Sequence, residues 1–207
     1  LGQILLPQAV GPDDVHRHAS ALLGQPEISG GRFILGLGAG WNRVEYDAFG
    51  FPFDHRVGRF EEAFTIIRKL LREGSIDFTG KYHTVRDCEL VPRPRPGGPP
   101  LLIGSQGPRM LRATLPHVDM WNAWHAWYGN SPDGLRDAMN KLDDACRAAG
   151  REPSEVSRTV AIMVQCPGGT GRIYGDVEHQ SDAVISGSTS EIAQALSDFA
   201  MPGLDHV

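Results

Sequence analysis

The sequence is poor in cysteine: its 207 residues hold three, Cys88, Cys146 and Cys166. An odd, widely spaced set does not build a disulfide framework, so reduced thiols and a cytoplasmic protein are expected. No apolar run reaches membrane-spanning length, and the expectation is a soluble chain with no membrane partner. Leu1 is not an initiator methionine and no basic-then-apolar leader follows it, so no signal peptide is expected. Positive charge is also short. With 20 Lys and Arg against 25 Asp and Glu, the formal net charge is −5. That argues against a nucleic-acid partner, because no surplus of cations is available to displace phosphate counterions.

Several chemical signatures are absent as well. There is no H-E-x-x-H and no paired-cysteine spacing, and the eight histidines form no ligand pattern. His16 and His18, two apart on a predicted helix, point in different directions. No metal site is expected. Neither a G-x-S-x-G elbow nor a G-x-x-x-x-G-K-[ST] loop occurs, so hydrolase and nucleotide-kinase readings lose support.

What is present is an ordinary globular composition, 41% hydrophobic and 22% charged, at a length that suits one large domain. Short apolar strands alternate with amphipathic helices. Strands are predicted at Ile4–Leu6, Phe33–Leu37, Leu101–Ile103, Val118–Trp121 and within Arg158–Gln165, with a last one beginning near Asp205. Helices are predicted at Pro12–Leu23, His55–Arg72, Pro108–Leu115 and Asp133–Ala149. In the second of these Val57, Phe60, Phe64, Ile67 and Leu71 recur at helical spacing, with Asp54 as its N-cap and Gly74 as its stop. In the fourth, Leu135, Met139, Leu142, Cys146 and Ala149 share a face, and Gly150 ends the helix. Ser188-Thr189-Ser190-Glu191 reads as a capping box that opens a further helix. Between Ser75 and Val91 a hairpin is expected around Thr79-Gly80-Lys81. The five prolines of 92–100 make a stiff connector, and Cys166–Gln180 reads as a polar loop. Alternation of this kind implies parallel strands, in either an open doubly wound sheet or a closed eight-stranded barrel.

In both architectures ligands sit at the carboxyl ends of the strands. Gly36-Leu37-Gly38-Ala39-Gly40-Trp41-Asn42 leaves the second strand. Trp41 stands where a dinucleotide fingerprint needs its third glycine, and no helix is expected to open directly afterwards, so that fingerprint fails. Two readings of the glycines fit: relief of crowding at a strand end, or a backbone that a flat ring approaches closely. Gly104-Ser105-Gln106-Gly107-Pro108 leaves the Leu101–Ile103 strand and opens a helix. It is either a plain βα turn or a set of amides that holds phosphate, with Arg109 adding a cation. Trp121-Asn122 leaves the following strand, with Trp124, Trp127 and Tyr128 crowded beyond it as pocket lining or as packing. Glu61 and Glu62 read as charges on the first turn of their helix.

Taken together, several stretches resemble the luciferase-like monooxygenase superfamily. They are 29–41 with its Gly38-Ala39-Gly40-Trp41 end, Glu45-Tyr46, Phe49-Gly50, Arg59-Phe60-Glu61-Glu62, Phe78-Thr79-Gly80-Lys81-Tyr82, Pro99–Ser105 and Asp119-Met120-Trp121-Asn122. The resemblance implies an α/β fold of the (β/α)8 TIM-barrel type, incomplete here, with the family's first two strands and the C-terminal end missing. It also implies a single partial barrel domain over 1–207 with an insertion at about 75–98. The implied cofactor is coenzyme F-420 or FMN, its phosphate on Gly104, Ser105, Gln106 and Gly107 and its ring at Gly38, Ala39 and Gly40. Trp41, Asn42, Trp121 and Asn122 would face the substrate. Some deazaflavin dehydrogenases of the family carry an acid where this chain has Trp41, and the family's first two strands, which supply part of the ring pocket and often a catalytic His, have no counterpart here.

The expected function is that of an oxidoreductase performing hydride transfer or oxygen insertion on a small organic substrate through reduced deazaflavin or flavin. Asn42 and Glu45 are candidates for the proton-handling group. The rival reading is a non-catalytic flavin binder or an inactive barrel fragment acting as a structural partner, possible as a homodimer because unpaired strand edges invite pairing.

Overall fold

In the computed structural model, residues 31–93, 95–169 and 184–206 are described. The strand expected at Ile4–Leu6, the helix at Pro12–Leu23, His16, His18 and most of the Cys166–Gln180 loop lie outside them. The chain divides into two compact units, Leu1–Ile103 and Gly104–Val207.

In the first unit, the strand β1 (Leu35–Leu37) is buried throughout. A short helix α1 (Arg43–Ala48) and a long one, α2 (Arg56–Glu73), follow. Next come the antiparallel hairpin β2 (Ser75–Thr79) and β3 (Thr84–Glu89), then the buried strand β4 (Leu101–Ile103). β1 and β4 pair in parallel, with Leu35, Gly36 and Leu37 opposite Leu101, Leu102 and Ile103. Short, continuously apolar segments of this kind are what a parallel strand covered on both faces requires.

The α2 helix packs on β2. It buries Phe60, Ala63, Phe64, Ile66, Ile67, Leu70 and Leu71, a wider face than the single stripe of the sequence reading, and Val57 is only half-buried. Its first cap differs from expectation. His55, in the left-handed region at φ 54°, is the N-cap, without a side-chain bond. Asp54 instead offers its carbonyl to the Arg59 Nε at 3.2 Å. Gly74 ends the helix as expected, at φ 85°. The hairpin is also as expected, but its loop is longer: Thr79 pairs with Thr84, and the Gly80 amide donates to the His83 carbonyl at 2.8 Å.

The second unit contains α3 (Pro108–Thr114), β5 (Met120–Trp124), α4 (Pro132–Ala148) and β6 (Ser157–Ala161). The short parallel pair β7 (Val164–Gln165) and β8 (Ile185–Ser186) and the helix α5 (Thr189–Ser197) complete it. β5 and β6 are parallel, with Trp121 opposite Arg158 and Asn122 opposite Thr159. The α4 helix buries Leu135, Met139, Leu142 and Cys146 of the predicted face, whereas Ala149, its C-cap, is only half-buried. The α5 helix opens with the predicted capping box between Ser188 and Glu191. The strand expected near Asp205 is a single parallel bridge between His206 and Thr159.

One predicted strand is two. The run Arg158–Gln165 breaks after Ala161 because Asn130 takes the place of a ladder neighbour. The Asn130 Nδ2 donates to the Met163 carbonyl at 2.9 Å, and its Oδ1 accepts from the Met163 amide at 3.0 Å. Buried Arg158 ties the unit's end to its middle. Its Nη2 bonds Asp143 Oδ1 at 2.5 Å, and its backbone amide donates to Asp205 Oδ2 at 2.7 Å.

Gly134, in the first turn of α4, has no room for a side chain. A Cβ there would land on the Tyr128 carbonyl, which is main chain and cannot rotate away. Gly134→Ala should therefore lower stability by about 2 kcal/mol despite alanine's better helix propensity. Urea unfolding measures this, and an unchanged midpoint would refute it.

Candidate functional site

The glycine ledge of the first unit begins where β1 ends. Among the described residues, a Cβ built on Gly38 meets no atom within 4 Å, whereas one on Gly36 would touch Leu102 at 3.7 Å. Crowding by those residues therefore does not explain Gly38. Its backbone borders open space, as close approach by a flat molecule would require. Gly40 sits at φ 73°, a conformation that favours glycine whatever lies nearby.

A helix does open soon after these glycines, contrary to expectation. Asn42 is the N-cap of α1, its Oδ1 accepting from the Val44 amide at 3.1 Å and its Nδ2 donating to Glu45 Oε1 at 3.0 Å. Both ends of the Asn42 amide, and one oxygen of Glu45, are thus engaged in capping. Tyr46, buried one turn on, donates its hydroxyl to the Ala39 carbonyl and pins the ledge from behind. Burial pushes the phenol's pKa up, against a smaller opposing effect of Arg56, so it remains the protonated donor. Trp41 projects, 79% exposed.

The second unit begins with Gly104-Ser105-Gln106-Gly107. Gly107 is the N-cap of α3 with extended backbone, and Pro108 occupies the first helical position, as expected. The Ser105 hydroxyl accepts from the Gly107 amide at 3.3 Å. Trp121 and Asn122 do not leave their strand. β5 continues to Trp124, so both lie inside it. Trp121 is 3% exposed, and its indole Nε1 donates to the Ser105 carbonyl at 2.7 Å, fixing the loop to the strand. The Asn122 Oδ1 accepts from Thr159 Oγ1 at 2.7 Å. A Cβ on Gly104 would come no nearer than 3.9 Å to the Asn122 carbonyl, an ordinary contact. Among the described residues nothing forces glycine there.

Beyond β5, Tyr128 is buried with its hydroxyl on the Ala161 carbonyl at 2.7 Å, whereas Trp124 remains 42% exposed. Between them lies His125, which no motif of the sequence singles out. Its ring is buried, and among the described residues neither nitrogen has a hydrogen-bond partner. Glu62 is not the helix-end charge that the sequence suggests, for it lies in the second turn of α2. Its carboxylate accepts the amides of Lys81 at 2.7 Å, Tyr82 at 2.9 Å and His83 at 2.8 Å. It closes the hairpin loop, which accounts for both the Arg59–Glu62 and the Phe78–Tyr82 segments. Among the described residues no group of His, Cys, Asp or Glu is arranged to hold a metal ion, and no helix is long and apolar enough to cross a membrane.

Comparison with known proteins places this geometry in context. The family model described as luciferase-like monooxygenase matches residues 18–168. A 5,10-methylenetetrahydromethanopterin reductase of Archaeoglobus fulgidus is 33% identical over 135 residues, covering 64% of this chain and 38% of the relative. The pyrimidine monooxygenase RutA of Klebsiella pneumoniae is 31% identical over 209 residues, covering 98% of this chain and 48% of its own length. The chain thus spans half or less of these curated relatives. Among solved structures, the coenzyme F-420 dependent tetrahydromethanopterin reductase of Methanopyrus kandleri superposes with a TM-score of 0.72 at 17% identity, covering 99% of this chain and 74% of that one. An F-420-dependent secondary alcohol dehydrogenase in complex with an F-420–acetone adduct gives 0.71 at 19% identity, covering 93% and 68%. The fold is the α/β, TIM-barrel-like one of these neighbours.

Proposed function

The chain belongs to the luciferase-like monooxygenase family, and from that premise we propose that it is the cofactor-binding part of an oxidoreductase that acts on a small organic substrate with coenzyme F-420 or FMN. The observation that carries this reading is the register of β1 and β4. Leu37 and Ile103 are partners at the carboxyl ends of parallel strands, so each glycine segment starts where parallel α/β folds receive ligands.

The residues suit the cofactor. Gly38, Ala39 and Gly40 offer bare main chain to a planar ring, held by Tyr46. Gly104, Ser105 and Gln106 offer amides and a hydroxyl to a phosphate, with the Gly107 amide turned to the Ser105 hydroxyl and the loop held by Trp121. When bound in its reduced form, the ring would supply a hydride or activate oxygen. Trp41 is the side chain left to meet the substrate, since Asn42, Trp121 and Asn122 are occupied within the protein. One relative's name is that of a reductase and another's that of a monooxygenase, which supports the redox class and leaves both cofactors in play.

Titration of the chain with F-420 and with FMN, followed by cofactor fluorescence, tests the reading. Saturable binding of one of them is expected, and the tighter one identifies the cofactor. Failure of both to bind would retire the proposal.

A further inference from the structure

We propose that His125 is a substrate-binding residue, whose imidazole hydrogen-bonds a carbonyl or hydroxyl oxygen of a neutral organic molecule at the carboxyl end of β5. This rests on the redox reading above and adds to it the polar contact that would orient the substrate.

Three observations support it. First, His125 is only 5% exposed, and both its ring nitrogens are buried without a partner among the described residues. Native structures contain few such groups, because a buried donor or acceptor left unpaired is destabilising, and each exception calls for an explanation. Phenylalanine or leucine would fill the same space without that penalty.

Second, the backbone that carries the ring is held firmly. The His125 carbonyl accepts from the Asn130 amide at 2.9 Å. Asn130 in turn brackets Met163, and Tyr128 bonds Ala161. The mount is rigid while the ring is unsatisfied, an arrangement suited to a group waiting for a ligand rather than to a badly packed loop.

Third, the place is right. His125 is the first residue beyond β5, the edge at which parallel strands present ligand-binding groups. Trp124, partly exposed, lies against the imidazole with ring centroids 4.5 Å apart.

Burial holds the imidazole's pKa below its usual value, so the ring is neutral near pH 7, with one nitrogen as donor and one as acceptor. That pairing favours an uncharged polar partner over an anion.

The test uses the whole chain labelled with ¹⁵N-histidine, with His125→Phe and His125→Leu variants to assign the ring signals. Cyclohexanone, cyclohexanol and benzamide are the probes, and cyclohexane is the apolar control. At least one polar probe is expected to shift the His125 ring nitrogens saturably and to bind about tenfold more weakly to both variants, the effect of one lost hydrogen bond. At least one variant is also expected to melt about 2–4 °C higher, because the orphaned nitrogens are gone. The proposal is overturned if no polar probe moves the signals, if binding is unchanged in the variants, or if both variants melt lower, which would mark the ring as packing. Titrating F-420 and FMN into the same samples separates the two readings. Probe shifts without cofactor binding would sink the redox reading alone, and cofactor binding without probe shifts would sink this one.

Discussion

Replacing Gly104 by valine is expected to weaken binding of the cofactor by about a hundredfold, equivalent to about 2.8 kcal/mol, while the protein stays folded. The expectation follows from what surrounds Gly104. A Cβ there meets only the Asn122 carbonyl, at 3.9 Å, and Gly104 is not among the glycines with positive φ, so the fold has no quarrel with a side chain. A phosphate held on the Gly104–Gln106 amides would, because those amides must be approached along the path that a branched side chain fills. Gly104→Ala should fall between wild type and valine. Fluorescence titration with F-420 and FMN, beside a melting curve for each protein, measures both effects. Equal affinities in wild type and valine variant would remove the phosphate from this loop, whatever the fate of the rest of the site.

Glu62→Ala should lower stability by about 3 kcal/mol at neutral pH, because charge-assisted bonds to three amides are lost together. The carboxylate side chain is 16% exposed, and water reaching the Lys81 amide keeps the figure below the sum of three separate bonds. The interaction also sets a pH dependence. Burial alone would push the Glu62 pKa up, but the amides of Tyr82, Lys81 and His83 and the His83 ring outweigh it, and the net shift is downward. A carboxyl with a depressed folded value contributes stability that is fully present above the unfolded value of about 4.3. That contribution disappears as pH falls through the folded value. Urea midpoints of wild type and Glu62→Gln should therefore differ clearly at pH 7 and converge as pH drops below 4. A gap that stays constant with pH would show that the glutamate acts through packing instead.

Local signals were read well from the chain and distant ones were not. The capping box at Ser188, the four buried positions of α4 and the apolar strand at Leu101 depend on neighbours within a turn or a few residues. The break at Ile162-Met163 was invisible because its cause, Asn130, lies some thirty residues earlier. β5 runs past its predicted end at Trp121, and only Thr159 on the facing strand explains the polar Asn122 side chain inside it. The short helix α1 has no apolar stripe to announce it. Its cap, Asn42, was assigned instead to a pocket. At the candidate site the glycines were legible, since a missing side chain is a property of sequence. The braces behind them, Tyr46 and Trp121, were not, and neither was the solitude of His125, because partnership is decided by three-dimensional neighbours.

The exposed indole of Trp41 turns the candidate site into its own optical probe. An aromatic ring bathed in water emits at long wavelength and is readily quenched by collision with a dissolved solute. The sheltered indole of Trp121 contributes a bluer, protected background. Anything that settles beside the ledge will shield Trp41 first, so occupancy can be followed by the protein's own ultraviolet emission with no attached dye.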